Sequence, residues 1–317
     1  MSKTIGLRMM ASDGFRIGGR RVPDEITGQF EDSSPFIGDP CELRRRLDDN
    51  GYIFLRDMLD KADVLAARRE VFSRLVEVGE IRRPVIEGIA TGQSLRRERV
   101  GDLVAFWRSV SEGPLLRQVS HGVRVRGIMH RVFGEPARPQ DYLWLRPRGI
   151  GWTTGLHYDY PFFARGSRNV HTAWIPLGDI TRADGPLMLV EGSHRFGDLI
   201  GTMRAKEEQV NNSPAVAEQV AFNGEWMQDA IAFVHERNAR LLSAEFLAGD
   251  VLIFGMNTMH GSLDNYSATG RVRLSCDVRY QPASDPLDER YFGLDPTGAS
   301  GDGYGDMNSC RPLTEMS

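Results

Sequence analysis

Apolar residues recur at helical spacing through the first third of the chain. In 40–48 (PCELRRRLD) and 60–79 (DKADVLAARREVFSRLVEVG), Leu43, Leu47, Val64, Leu65, Val71, Phe72 and Leu75 mark the buried faces of two helices. Asp60 or Asp63 is the expected N-cap of the second, and Gly79 its stop. A further helix is predicted from about Pro114 to Phe133, and the short apolar run 51–55 (GYIFL) suits a strand. From Asp141 the texture changes to short β-rich segments divided by glycine, proline and aspartate: DYLWLRPR, WTTGLHYDY, VHTAWIPLGDI, GPLMLVEGSH, LLSAEFLAGDVLIF and RVRLSCDVRYQP. Such a series predicts an antiparallel sandwich or jelly roll. Residues 196–240 return to a helical pattern inside that series, and an insertion of this length reads as a lid. The expected organisation is one mainly β domain with helical flanks. It has a helical frame over about 40–140, a jelly-roll core over about 141–282 and a loose glycine-rich tail from 295 to 317.

Composition narrows the class. With 317 residues, 41% of them hydrophobic, the chain can bury a large core unaided. Three cysteines, Cys41, Cys276 and Cys310, are too few for a disulfide framework or a zinc ribbon, so any metal chemistry rests on other ligands. The net charge of -4 argues against a nucleic-acid partner. Arg44, Arg45 and Arg46, and Arg96 with Arg97, read as solvated helix faces. No apolar stretch has the length of a membrane span or a secretory leader, so a cytoplasmic protein without a membrane partner is expected. Oligomeric state is not legible.

The seven histidines are the most informative residues. His157 and Asp159 lie two apart at the end of WTTGLHYDY, where an extended chain projects both to one face. His260 follows the apolar segment VLIF and can be brought beside them by a jelly roll. Two histidines and one carboxylate leave open positions that suit non-haem Fe(II). A closed zinc site would want a fourth ligand. Arg271, Arg273, Ser275 and Asp277 share one face of the last strand, and an inward arginine requires an anion, which a ligand carboxylate can supply. Ser262 could add a hydroxyl to the same carboxylate. The glycines of 149–155 enter a strand, so the phosphate site of a helix N-terminus is not expected there. His194 reads as a loop-holding residue, and His121, His130 and His235 sit on expected helices.

The ordered set His157-x-Asp159, Trp174, Asp184-Gly185-Pro186-Leu187, Glu191-Gly192-Ser193-His194, Gly249-Asp250, His260-Gly261-Ser262 and Arg271 resembles the phytanoyl-CoA dioxygenase family over about 50–282. That resemblance implies a double-stranded β-helix of the cupin-like kind and an oxygenase dependent on Fe(II), 2-oxoglutarate and O2. It implies iron on His157, Asp159 and His260, and 2-oxoglutarate on Arg271 and Ser262 with Trp174 as a wall. Oxidation of a small molecule would then release succinate and CO2. A carboxylate at Asp159, rather than a small residue, favours hydroxylation over halogenation. Two departures stand out: Glu191 where the family often has proline, and Gly155-Leu156 where it often has glutamine or tryptophan before the histidine. A basic residue that helps hold 2-oxoglutarate in some members is not identifiable. Tyr158, Tyr160, Phe162, Arg165, His171, Trp226 and Arg279 are the expected substrate residues. A small metabolite or natural-product intermediate is the expected substrate. Two other classes compete: a cupin-type metalloenzyme independent of 2-oxoglutarate, and a non-catalytic binding protein of the same fold.

Overall fold

The computed structural model describes residues 14–221, 229–306 and 311–314. Local chemistry sets the frame. Asp39 accepts from the amides of Cys41 and Glu42 to open the helix Pro40–Asn50, and Gly51, at φ 79°, closes it. Asp60 caps Lys61–Glu77 in the same way. The helix expected from Pro114 to Phe133 is two, Pro114–His121 and Val123–Phe133. They divide at Gly122, whose backbone is extended and packs so closely that a Cβ there would lie 2.0 Å from the Gln118 carbonyl oxygen.

The strands are β1 (Arg16–Ile17), β2 (Arg20–Arg21), β3 (Thr27–Gly28), β4 (Tyr52–Leu55), β5 (Ala137–Pro139), β6 (Trp144–Arg148), β7 (Thr154–His157), β8 (His171–Pro176), β9 (Leu187–Val190), β10 (Leu241–Ser243), β11 (Val251–Gly255), β12 (His260–Ser262) and β13 (Arg273–Pro282). Two sheets carry the core, in the orders β3-β10-β9-β12-β7 and β4-β11-β8-β13-β5, with β6 also on β13. The pairs are antiparallel except β3 on β10. This is the expected jelly roll, with β4 of the N-terminal frame as an edge strand of the second sheet.

Strand β13 is buried along its whole length, yet it alternates in polarity. Leu274, Cys276, Val278 and Tyr280 join the apolar cluster under the frame helices, where the Tyr280 hydroxyl donates to the Ser120 carbonyl (2.7 Å). Arg273, Ser275, Asp277 and Arg279 face the space between the sheets. A buried polar face is costly unless its groups are paired, so the alternation marks the site.

The helical insertion is present as Gly197–Ala205, Glu207–Asn212, Pro214–Ala221 and Ala230–Glu236. The tail corrects an expectation. Over 295–306 it is held down: Tyr304 is buried and stacks on Tyr142 at 4.7 Å, and the Tyr142 hydroxyl donates to the Gly303 carbonyl (2.8 Å). Burying one aromatic ring outweighs the glycine-rich composition around it. Among the described residues no helix is long and apolar enough to cross a membrane.

Candidate active site

Strand β7 ends at His157, and the chain then turns. Asp159 is not extended as expected but helical (φ -75°, ψ -20°), and it opens the short helix Tyr160–Phe163. That turn, rather than strand alternation, directs its carboxylate back to the histidine. His260 begins β12 as the cross-strand partner of His157, with the rings 4.2 Å apart. Asp159 Oδ1 lies 3.9 Å from His157 Nε2 and 3.8 Å from His260 Nε2, and all three residues are buried.

The ring orientations are fixed from behind. His157 Nδ1 lies 2.9 Å from the Gly155 carbonyl and His260 Nδ1 3.0 Å from that of Thr258. Both contacts assign the proton to Nδ1 and leave the Nε2 lone pairs facing the centre. Burial, with His260 nearby, lowers the His157 pKa to about 3, and burial lowers that of His260, so both rings are neutral as metal ligands must be. For Asp159, burial alone would raise the pKa, but the Arg279 guanidinium holds the carboxyl well below the usual range. Thr172 Oγ1 (2.9 Å) and Arg279 Nη2 (3.0 Å) both donate to Oδ2. Two neutral imidazoles and one oriented carboxylate fit a divalent iron with open positions.

Arg279 is therefore a positioning residue rather than a free anchor. Its guanidinium packs against the rings of both Trp144 (4.3 Å) and Phe163 (4.9 Å). Arg279→Met is expected to weaken Fe(II) binding about 10- to 100-fold, the usual loss when a ligand's supporting bond is removed, with partial recovery in Arg279→Lys. Anaerobic metal titration reads this directly.

On one side of the cluster lies a small polar chamber. Arg148 on β6 and Arg273 on β13 are cross-strand partners, so two guanidinia stand side by side in it. Arg273 donates to Ser275 Oγ (2.7 Å) and Arg148 to Thr154 Oγ1 (3.2 Å). Among the described residues, the Nε atoms of both, and Nε1 of Trp174, are buried without a hydrogen-bond partner. Among the described residues neither arginine has a carboxylate at ion-pair distance, because Asp277 is taken by Arg146 (3.0 Å) and Arg279 (3.5 Å). Burial lowers the Arg273 pKa to about 10 and that of Arg148 well below its ordinary value. Like charges at a cross-strand pair repel, and an incoming anion relieves both that repulsion and the missing bonds. Ser262 lines the chamber, with Oγ accepting from the Thr154 amide (2.8 Å) and its own proton left to donate.

Arg271 lies elsewhere. It precedes β13, bridges Ile89, and places its guanidinium on Asp184 (3.2 Å) and the Asp179 carbonyl (2.5 Å). Its charge is already met there, and Arg273 occupies the chamber in its stead.

On the other side, a cleft of about 230 Å³ opens from His157 and Asp159 between Tyr142, Trp144, Phe162, Phe163 and Tyr291. Pro214 and Glu218 of the insertion and Ala299 and Ser300 of the tail form its rim. Of the expected substrate residues, Phe162 and Arg279 line it. Tyr158 is buried in the core and donates to the Ser193 carbonyl (2.9 Å), and Tyr160 donates to Glu207 (2.8 Å). Arg165 is exposed away from the cleft, His171 packs on Phe133 (5.1 Å), and Trp226 lies outside the described residues. The helical turn after Asp159 accounts for Tyr160, since it replaces alternation with a 3.6-residue period. Trp144, Arg146 and Arg148, which were missed, are signalled in DYLWLRPR by two arginines at alternate positions of an otherwise apolar strand. His194 holds its loop through the Asp48 carbonyl (3.0 Å), and His121, His130 and His235 are helical.

Comparison with known proteins agrees with this geometry. The family profile of phytanoyl-CoA dioxygenase matches residues 47–273. The 1-deoxypentalenic acid 11-beta-hydroxylase of Streptomyces exfoliatus is 29% identical over 82% of this chain and 87% of its own length. The hydroxylase of the same name from Streptomyces arenae is 27% identical over 80% and 86%. Among solved structures, EctD from S. alaskensis with 2-oxoglutarate and 5-hydroxyectoine shares the fold, with a TM-score of 0.52, 16% identity, and coverage of 98% of this chain and 97% of that one.

Proposed function

Because the chain belongs to the phytanoyl-CoA dioxygenase family, and is an Fe(II)- and 2-oxoglutarate-dependent oxygenase, we propose that it hydroxylates a small, largely apolar natural-product intermediate. The observation that carries this reading is the position of the His157, Asp159 and His260 cluster between an anion-seeking chamber and an aromatic cleft. In this reading those three residues hold the iron. Arg273 and Ser262 grip the far carboxylate of 2-oxoglutarate, and the Trp174 indole donates to it from the chamber wall. Bound together with O2, iron and 2-oxoglutarate supply the oxidising power, with succinate and CO2 as co-products.

The protein supplies orientation and dryness. Trp144, Phe162 and Phe163 present flat apolar faces that hold a hydrocarbon skeleton against the cluster and exclude water. Arg279 and Thr172 keep one carboxylate oxygen of Asp159 turned to the metal. The carboxylate at this position favours hydroxylation over halogenation. Both named relatives are hydroxylases of a small acid, which supports the reaction class; at 27–29% identity they leave the substrate itself to experiment. A cupin-type reaction without 2-oxoglutarate would leave the buried Arg273 guanidinium, which has no carboxylate partner among the described residues, without purpose.

Anaerobic addition of Fe(II) and then 2-oxoglutarate should give the weak visible charge-transfer band of a bidentate 2-oxoglutarate chelate. Absence of the band in wild type would overturn this reading. Once the band is seen, a metabolite screen for stimulated succinate release identifies the substrate.

A further inference from the structure

We propose that Arg148 is the anchor for a carboxylate carried by the substrate, so that this oxygenase acts on an organic acid. The inference rests on the oxygenase reading above and adds the polar recognition that the aromatic cleft lacks.

Four guanidinia surround the metal cluster, those of Arg146, Arg148, Arg273 and Arg279. Two are neutralised by the protein: Arg279 by Asp159 and Arg146 by Asp277. Among the described residues Arg148 and Arg273 have no such carboxylate, although their relative exposures are only 4% and 3%. An unmet buried charge is retained at a cost, and the natural compensation is an anion. The far carboxylate of 2-oxoglutarate is one such anion. A carboxylate offers about four acceptor positions, and the fork of Arg273, the hydroxyl of Ser262 and the indole of Trp174 fill them. That leaves Arg148 with one neutral partner, Thr154, and a buried Nε that donates to nothing.

Position separates the two arginines. Arg273 borders the inner chamber alone, whereas Arg148 borders both the chamber and the cleft, with Thr154 and His157 beside it. Its guanidinium lies over Trp152 (5.1 Å), which holds the planar fork in place. A substrate carboxylate docked on that fork would lay its skeleton along Trp144 and Phe163, with a C–H bond brought toward His157 and Asp159. A fixed polar anchor beside an otherwise apolar wall is what selects one C–H bond among many similar ones.

The test uses compact alicyclic probes in matched pairs, adamantane-1-carboxylate against adamantane-1-carboxamide and cyclohexanecarboxylate against its amide. Each is titrated calorimetrically into the anaerobic Fe(II)·2-oxoglutarate protein. Wild type should bind the acids roughly tenfold or more tightly than the amides. In Arg148→Met the preference should fall to within about twofold while 2-oxoglutarate affinity stays within about twofold of wild type, and Arg148→Lys should restore part of the preference. Equal binding of acid and amide by wild type overturns the proposal, and this arm needs no variant to fold. Loss of 2-oxoglutarate binding in Arg148→Met with the acid preference intact also overturns it and gives both arginines to the co-substrate. Failure of wild type to form the 2-oxoglutarate chelate would instead sink the oxygenase reading on which the proposal stands.

Discussion

Asp159→Ala is expected to lower Fe(II) affinity about a hundredfold or more and to abolish substrate-coupled succinate formation. The loss exceeds that of a supporting residue, because the oxygen ligand itself is gone and only two imidazoles remain. The same change strips Arg279 of its nearer buried carboxylate (3.0 Å) and leaves it Asp277 at 3.5 Å, so the cost falls below the roughly 3 to 5 kcal/mol of a fully broken buried pair. Thermal unfolding of the metal-free protein should therefore show a clear destabilisation. The double variant Asp159→Ala with Arg279→Met should recover part of that stability without recovering iron binding. Full turnover in Asp159→Ala would remove Asp159 from the ligand set.

Arg273→Met should weaken 2-oxoglutarate binding about a hundredfold while leaving Fe(II) binding in place. Two charge-assisted hydrogen bonds at about 1.5 kcal/mol each account for that factor. Arg271→Met is the matched control. Its guanidinium sits on Asp184 outside the chamber, so 2-oxoglutarate affinity should hardly change. Titration of the chelate band separates the two variants. A large loss in Arg271→Met and none in Arg273→Met would restore Arg271 as the co-substrate residue and move Arg273 to a structural role.

That choice between two arginines shows where sequence stops being sufficient. Both fall on the same face by alternation, so nothing local distinguishes them. What decides is the place where β13 begins, and that is set by distant contacts: the bridge from Arg271 to Ile89 and the carboxylate of Asp184. The His157, Asp159 and His260 cluster was legible because each half is a short local pattern and the fold needs only to align two neighbouring strands. The cap Asp60 acts over two or three residues and was equally readable. The division at Gly122 was not, since one glycine in a helical pattern does not announce a break. Nor was Tyr304 beneath the cleft, whose role comes from burial against Tyr142, far away in the chain.

The pairing of β4 with β11 has a kinetic side. Tyr52–Leu55 meets Val251–Phe254, residues about two hundred positions later, and β3 likewise waits for β10. Chain closure over such separations is slow, so neither sheet can be completed during the early stages of synthesis. The frame helices must persist with unmated apolar faces until the second half arrives, a period in which an exposed strand edge invites association with other chains. Dividing the protein near residue 140 would make that transient condition permanent, since it takes one edge strand from the first sheet and both from the second. The helical frame and the jelly roll are thus expected to unfold as one cooperative unit, whatever the boundary between their textures in the sequence.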